Sequence, residues 1–196
     1  MTDWQMLHTM SFEGPLLGLL FIHLHWRGWR CSDLKIKPTL VAGSQALGLV
    51  FAMALANFAS VITGYVLWFM MQSSYHSFGA FLIANSPHFK LHSVHLSWLS
   101  VLPAMILNGF YEEITCMGYA FNQFATKLGP FFALVLTVLL RMSCHTYQGL
   151  VHAVGIGAVF FVSGLVYWWT RNLWPLILAH IIVDAVSMGV LKHLLG

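Results

Sequence analysis

The sequence predicts an all-α, polytopic membrane helix bundle. Of its 196 residues, 59% are hydrophobic and only 8% are charged, and the mean hydropathy is +0.77. Ordinary soluble domains have a lower apolar fraction and about three times this charged fraction. Since about 20 apolar residues cross the hydrocarbon layer once, the chain has room for about six or seven transmembrane helices. A soluble domain of useful size does not fit beside them.

The first half of the chain contains apolar runs of uneven length. The first, about residues 14–26, is short for a crossing unless residues 6–10 join it. The second, about residues 39–71, is longer than one untilted crossing requires, so we expect a long or tilted helix, or one broken near Gly64. Residues 72–90 contain Ser, His, Asn and Pro, and we expect a loop there.

Charged residues between the apolar runs predict the orientation of the chain. Residues 27–38 form the densest basic stretch, and the positive-inside rule puts this loop in the cytoplasm. Alternation then places Lys127 and Arg171 on the same side, with Lys90 and Lys192 outside. No basic start or cleavage site of a signal peptide is visible, so we expect the first apolar run to be retained as a helix.

The second half reads as a core of four helices. A third apolar run, about residues 96–110, leads into Glu112 and Glu113 and then into an amphipathic continuation to Phe124. Three further helices of about crossing length are expected at about residues 131–147, 150–170 and 173–194. We therefore divide the chain into N-terminal transmembrane helices and loops, residues 1–95, and a helical core that carries the chemistry, residues 96–196.

The composition excludes or disfavours several functions. The net charge is +3, but the Lys and Arg residues are scattered in short loops, so no nucleic-acid partner is expected. Three cysteines without CxxC spacing indicate neither a disulfide framework nor a zinc knuckle. A small proton-coupled carrier remains an alternative because it could use intramembrane Glu, His and Asp as a relay, although the lack of an internal repeat weighs against it.

Ionisable side chains inside membrane helices are costly and usually mark pathways, partners or active sites. Those of this chain concentrate in its second half: Glu112, Glu113, Arg141, His145, His152, His180 and Asp184. His180 and Asp184 are four residues apart on one helix, so the carboxylate can orient the imidazole. Glu112 and Glu113 point about 100° apart on a helix, so one can act while the other positions it.

A purely structural role explains isolated residues of this kind equally well. Buried charges can pair only to lock helix packing, Glu113 with Arg141 for example, and His152 can hydrogen-bond a neighbouring helix. A thiol nucleophile is disfavoured because Cys144 and its neighbour His145 face different ways on a helix. No serine lies in a Gly-x-Ser-x-Gly context. The residues taken singly leave structure and chemistry open.

Three separated motifs in the second half carry a more specific signal. They are Glu112-Glu113-Ile-Thr-Cys-Met-Gly118-Tyr119, then His145-Thr-Tyr147-Gln148-Gly149, and finally Leu173-Trp174-Pro175 with His180 and Asp184. In this order, over about residues 96–194, they resemble the CPBP family of intramembrane proteases, which includes CAAX proteases and bacteriocin-processing enzymes. In that family a Glu-Glu-x-x-x-Arg motif opens the site, a histidine follows on the next helix, and a His-x-x-x-Asn or Asp pair closes it.

The resemblance implies an intramembrane endopeptidase that cleaves a membrane-associated peptide or protein. It implies Glu112 as the base that activates water, with His145 assisting and Glu113 as the orienting partner. His180 and Asp184 are implied at the face that stabilises the tetrahedral oxyanion. The implied partners are this substrate and the lipid bilayer, and the expected location is a bacterial inner membrane.

Two positions depart from the family pattern. Met117 stands where the first motif usually has arginine, and Arg141 stands on the next helix where an aromatic residue, usually phenylalanine, is common. We expect Arg141 to restore the lost charge from the neighbouring helix as a supporting residue. A non-catalytic immunity or scaffold protein of the same fold is the main alternative, since Met117 could mark a decayed site, but retention of both glutamates and both histidines argues against decay.

The resemblance leaves the cofactor open. Glu112, His145 and His180 could supply three ligands to a catalytic zinc ion. The spacing lacks an HExxH arrangement, however, and the two His-plus-carboxylate sets serve equally well as a base and an oxyanion clamp. A mechanism without metal is therefore favoured over a zinc-dependent one.

Overall fold

A computed structural model describes residues 3–71, 76–85 and 97–195. Within these residues the chain forms helices and no strands, so the predicted all-α class is confirmed. The α-helices are α1 (Asp3–Trp26), α2 (Leu40–Met70), α3 (Phe78–Asn85), α4 (Trp98–Glu112), α5 (Asn122–Leu128), α6 (Pro130–His145), α7 (Leu150–Thr170) and α8 (Trp174–Leu195). A π-helical segment, Glu113–Phe121, joins α4 to α5, and two short 3-10 turns, Cys31–Leu34 and Thr146–Gln148, precede α2 and α7.

Several of these helices have the length and composition of membrane spans. In the described part of the chain, three are long and apolar enough to cross a bilayer, at Leu40–Met70, Pro130–Gln148 and Val151–Thr170, and a shorter apolar helix covers Trp174–Ser187. Large apolar side chains such as Phe51 are exposed on their outer surfaces. Lipid is the solvent that such surfaces require. The protein is an integral membrane helix bundle.

Helix α1 is longer than the apolar run that predicted it, whereas α2 nearly matches its predicted run. Helix α1 continues through Pro15 and joins residues 6–10 to residues 14–26, which resolves the ambiguity over its length. Helix α2 spans 31 residues and passes through Gly64 without a break. The side chain of Thr39 accepts a hydrogen bond from the Ala42 amide at 3.0 Å and so caps the start of α2.

The prediction of a loop over residues 72–90 is wrong for Phe78–Asn85, which form helix α3. The ring of Phe78 packs edge-to-face against Tyr65 of α2, with 5.6 Å between the ring centres. It lies 5.9 Å from the ring of Trp68, also on α2. These tertiary contacts support a helix whose eight residues are too few to show helical periodicity. The rest of the expected loop, residues 72–75 and 86–90, lies outside the described residues.

The continuation after α4 is helical as expected, but it is a π-helix. Asn122 lies directly after this segment, and its side-chain amide donates to the Gly118 carbonyl at 2.8 Å and to the Met117 carbonyl at 3.3 Å. The same amide donates to the Tyr167 hydroxyl at 2.8 Å and so ties the segment to α7. Segments of π-helix are rare and often lie at functional sites. Here the segment begins with Glu113.

One apolar core joins the two halves of the chain. Leu49 and Met53 of α2 belong to the same buried cluster as Ile114 and Phe121 of the π-helical segment and Leu134 of α6. The helices α2, α7 and α8 pack together, and α1 packs along α4. The division at residues 95 and 96 stays a prediction.

A glycine sets the spacing between α4 and α8. A Cβ atom at Gly109 would lie 2.8 Å from Cγ1 of Ile181 and 3.5 Å from the backbone oxygen of Ile177. A larger residue would force the Ile181 side chain to move, because real Cβ atoms do not approach other atoms as closely as 2.8 Å. This close approach places the end of α4, with Glu112, opposite the part of α8 that carries His180.

Candidate active site

The structure brings the six predicted site residues into one group. They lie at the junction of α4 with the π-helical segment, in the last two turns of α6 and in the middle of α8: Glu112, Glu113, Arg141, His145, His180 and Asp184. Each has an ion-pair contact with at least one other member. His152, the seventh ionisable residue singled out from the sequence, is exposed on α7.

Glu113 is the buried centre of this group. Its side chain is 1% exposed, and its Oε1 atom accepts a hydrogen bond from Nη2 of Arg141 at 2.9 Å. The same oxygen lies 2.9 Å from Nδ1 of His180. A carboxylate removed from water is tolerated only with such partners, because its desolvation costs several kcal/mol. Removing one partner of a buried ion pair costs about 3–5 kcal/mol. Glu113 therefore holds α6 and α8 to the start of the π-helical segment.

Arg141 is also held by an aromatic ring of α7. Its side chain is 3% exposed, and the guanidinium carbon lies 3.5 Å above the centre of the Phe160 ring of α7. That ring also packs against the imidazole of His180, with 5.5 Å between the ring centres. A guanidinium stacked on an aromatic face keeps its in-plane donors free for carboxylates. Phe160 thus orients both partners of Glu113, a role that no sequence pattern had indicated.

The first motif has Met117 where the family pattern has arginine, and Arg141 provides the cation beside Glu113 instead. Met117, at the usual arginine position, is 2% exposed and packs in the apolar core. The cation that reaches Glu113 comes instead from α6, one helix away. This geometry agrees with the expectation that Arg141 supplies the missing charge.

Glu112 has a more open environment than its neighbour. Its side chain is 19% exposed. Its Oε2 atom lies 3.7 Å from Nη2 of Arg141, and its Oε1 atom lies 4.0 Å from Nε2 of His145. Both separations fall within ion-pair range but beyond a hydrogen bond. The carboxylate therefore keeps lone pairs available to water or substrate while two basic groups stand close by.

Asp184 completes the group from α8. Its Oδ2 atom lies 3.6 Å from Nε2 of His180 and accepts a hydrogen bond from Nδ2 of Asn108 at 3.2 Å. Asn108 was not selected from the sequence, although it precedes Glu112 by four residues and so lies on the same face of α4. That spacing was the signal that could have found it.

A further carboxylate reaches the group from outside the predicted core. Glu13 of α1 interacts electrostatically with Glu112, Asp184 and His180. In the sequence it only flanks the first apolar run. Nothing in the local pattern shows that α1 packs along α4, so this neighbour could not have been found without the fold.

The ligand set suggested for zinc is engaged in other contacts. Nδ1 of His180 is engaged by Glu113, and its Nε2 atom faces Asp184. Among the described residues, no three His, Cys, Asp or Glu side chains are grouped so that they could hold a metal ion. As placed, Glu112, His145 and His180 do not form a zinc site. The mechanism without metal stays a prediction.

Comparison with known proteins bears on the same part of the chain. Residues 94–186, slightly less than half of the chain, match the family model described as type II CAAX prenyl endopeptidase Rce1-like. The resemblance to the CPBP family is confirmed. The CPBP-like segment contains all six predicted site residues, whereas Glu13 and helices α1–α3 lie outside it. No curated protein and no solved structure was found to match the chain.

Proposed function

We propose that this protein is an intramembrane endopeptidase that hydrolyses a peptide bond of a membrane-associated peptide or protein, with Glu112 as the general base. The observation that carries the proposal is the contrast between two adjacent glutamates in a CPBP-like segment. Glu113 is buried and hydrogen-bonded to Arg141 and His180, whereas Glu112 is part-exposed beside two basic side chains. A general base must be reachable by water, and only Glu112 meets that condition.

The first chemical step follows from the position of Glu112. Its carboxylate accepts a proton from a water molecule, and the water oxygen forms a bond to the carbonyl carbon of the scissile peptide. The carbonyl oxygen then carries the negative charge of a tetrahedral intermediate. When the C–N bond breaks, Glu112 returns the proton to the leaving amine, so acid and amine products form without net consumption of the base. His145 stands close enough to Glu112 to orient it during both transfers.

The oxyanion needs donors that are already in place. His180 is suited to this role because Glu113 engages its Nδ1 atom and leaves Nε2 directed away from that carboxylate. Asp184 lies 3.6 Å from Nε2 and is itself held by Asn108. A proton on Nε2 would be shared between Asp184 and the oxyanion as charge develops on the substrate.

Arg141 supports the proposal as a replacement for the usual motif arginine. Its guanidinium bonds Glu113 directly and stands 3.7 Å from Glu112, so it stabilises both carboxylates from one position. The buried pair of Arg141 and Glu113 would be retained in a decayed site as well, because breaking it destabilises the bundle. Retention of the part-exposed Glu112 and His145, which have only longer contacts, is what favours an active protease over the immunity or scaffold alternative. We also propose a bacterial inner membrane as the location of the bundle, with the basic loop of residues 27–38 in the cytoplasm by the positive-inside rule.

The proposal is tested by cleavage assays on purified protein in proteoliposomes. The first probe is a farnesylated peptide that ends in a CAAX sequence, because the matching family is described as a CAAX prenyl endopeptidase. The same peptide without the prenyl group shows whether a lipid anchor is required. Wild-type protein is compared with Glu112→Gln and with Lys127→Gln, an exposed change on α5 that serves as the matched control. Each reaction is run with and without a strong chelator.

Cleavage that resists the chelator, disappears in Glu112→Gln and persists in Lys127→Gln is the expected result. Activity that the chelator abolishes and zinc restores would replace the glutamate-base mechanism with a zinc-dependent one. No cleavage of any membrane-anchored peptide by a folded wild-type protein would favour the immunity or scaffold alternative.

A further inference from the structure

Glu13 lies on the side of α1 that faces the rest of the bundle. Met10, three residues before it, packs against the cluster of Val101, Ala104 and Met105 on α4. Leu17, four residues after it, packs against the main core. Residues three and four apart share one face of a helix, so the side chain between them enters the interface of α1 with α4. It does not point into lipid.

The carboxyl group of Glu13 is only partly satisfied in that interface. Its Oε2 atom is shielded from solvent and has no hydrogen-bond partner among the described residues. Buried polar atoms normally have partners, so an unpartnered carboxyl oxygen calls for an explanation. The electrostatic neighbours of this group are Glu112, Asp184 and His180, all members of the candidate active site.

We infer that Glu13 is a positioning residue of the active site, which in its protonated form donates a hydrogen bond, directly or through one water molecule, to the carboxylates of Glu112 or Asp184. The inference rests on the proposed function of this site. It adds an element that the family match does not contain, because residue 13 lies far outside the CPBP-like segment.

The charges around Glu13 explain why it would act as a donor. Glu112 and Tyr111 face it from α4, and Asp184 and His180 face it from α8. Arg141 hydrogen-bonds Glu113 at 2.9 Å and lies farther from Glu112, at 3.7 Å, so it compensates the charge of these carboxylates only in part. Carboxylates that share a space of low dielectric cannot all carry charge without strong repulsion, whereas a neutral carboxyl group can donate to a charged neighbour.

This hydrogen bond would have a defined mechanical effect. Glu112 lies at the end of α4, and its nearest charged partners among the described residues are at ion-pair separations of 3.7 and 4.0 Å. A donor from α1 would restrict the rotation of its carboxylate and so keep one lone pair directed at the attacking water. Orientation of this kind contributes to the rate of the chemical step and not to substrate affinity.

Two substitutions separate the hydrogen bond from the bulk of the side chain. Glu13→Gln can still donate but is never charged, whereas Glu13→Leu fills similar space and cannot donate. Ser11→Ala, an exposed position on the same helix, is the matched control. With the farnesylated CAAX peptide as the probe, Glu13→Gln and Ser11→Ala should keep kcat close to that of wild type. Glu13→Leu should lower kcat by about tenfold, the effect of one lost hydrogen bond, and leave KM unchanged.

Infrared spectroscopy of the protein in proteoliposomes tests the proton directly and needs no substrate. The carbonyl stretch of a protonated carboxyl group should be present at neutral pH in wild type and in Ser11→Ala, and it should be missing in Glu13→Gln. Full kcat in a folded Glu13→Leu variant, equal losses in the Gln and Leu variants, or an unchanged carbonyl band in Glu13→Gln would each overturn the inference. If the band behaves as expected but wild type cleaves nothing, the protease proposal fails and the protonated Glu13 remains.

Discussion

The two glutamates at the end of α4 are neighbours in sequence but have opposite environments. Glu113 shares one oxygen between Arg141 and His180 at 2.9 Å each and is almost completely buried. Glu112 is part-exposed, and its ion-pair contacts in the described part of the chain are longer, at 3.7 and 4.0 Å. The first belongs to a closed ion-pair network that joins three helices, and the second stands at its open edge.

The two environments indicate how a membrane protein can keep a reactive carboxylate in a low-dielectric interior. The closed network takes up the strong interactions and so fixes the helices, while the open glutamate keeps lone pairs for water. If this division is correct, changes at Glu112 should reduce activity with little effect on folding. Changes in the network should reduce both.

Glu112→Gln provides the largest expected effect on activity. Because the amide cannot accept the proton of water, the rate of peptide cleavage should fall by about a thousandfold, within the usual range for a general base. The melting temperature of the purified variant should stay within error of wild type, since Glu112 makes no short hydrogen bond. A variant that melts much earlier than wild type would show that Glu112 belongs to the structural network.

Arg141→Ala should lower stability as well as activity. It leaves the buried Glu113 without its cation, and breaking such a pair by removing one partner costs about 3–5 kcal/mol. Thermal and denaturant unfolding in detergent measure this loss. The double variant Arg141→Phe with Met117→Arg restores the family arrangement and should regain most of the stability and activity. Full activity of Arg141→Ala alone would contradict the idea that the arginine has been exchanged between helices.

His145→Gln changes a neighbour of Glu112, the part-exposed glutamate, and should affect activity more than stability. The imidazole lies 4.0 Å from Glu112 and makes no contact with Glu113, so its loss should reduce kcat by about a hundredfold, the lower end of general acid–base effects. Stability should be affected less than in Arg141→Ala. The ratio of the two effects is measured in the same cleavage and melting experiments. A stability loss equal to that of Arg141→Ala would place His145 in the closed network instead.

Much of the molecule could be predicted from the sequence because its signals are local. Long apolar runs gave α2, α6 and α7 nearly at their observed bounds, and the spacing of His180 and Asp184 gave their contact. The pairing of Glu113 with Arg141 was also anticipated, because an unpaired buried charge is so costly that a partner must exist.

The remaining features depend on tertiary packing, which no local pattern reports. Helix α3 is supported by aromatic contacts with α2, and the π-helical segment by Asn122. The position of Glu13 beside the site depends on which helix α1 packs against. Asn108 is intermediate, since its spacing from Glu112 was visible while its contact with α8 was not.

Asn108→Ala gives the smallest expected effect and tests how far the open side extends. The amide of Asn108 donates a part-buried hydrogen bond to the carboxyl group of Asp184. Loss of this bond should lower kcat by about three- to tenfold with little change in stability. Asp184→Asn removes the acceptor charge of the same bond. In a double-mutant cycle the two losses should be less than additive, because each change disrupts the same interaction. Strict additivity would show that the 3.2 Å contact does not serve the reaction, and Asp184 would then act on His180 without help from α4.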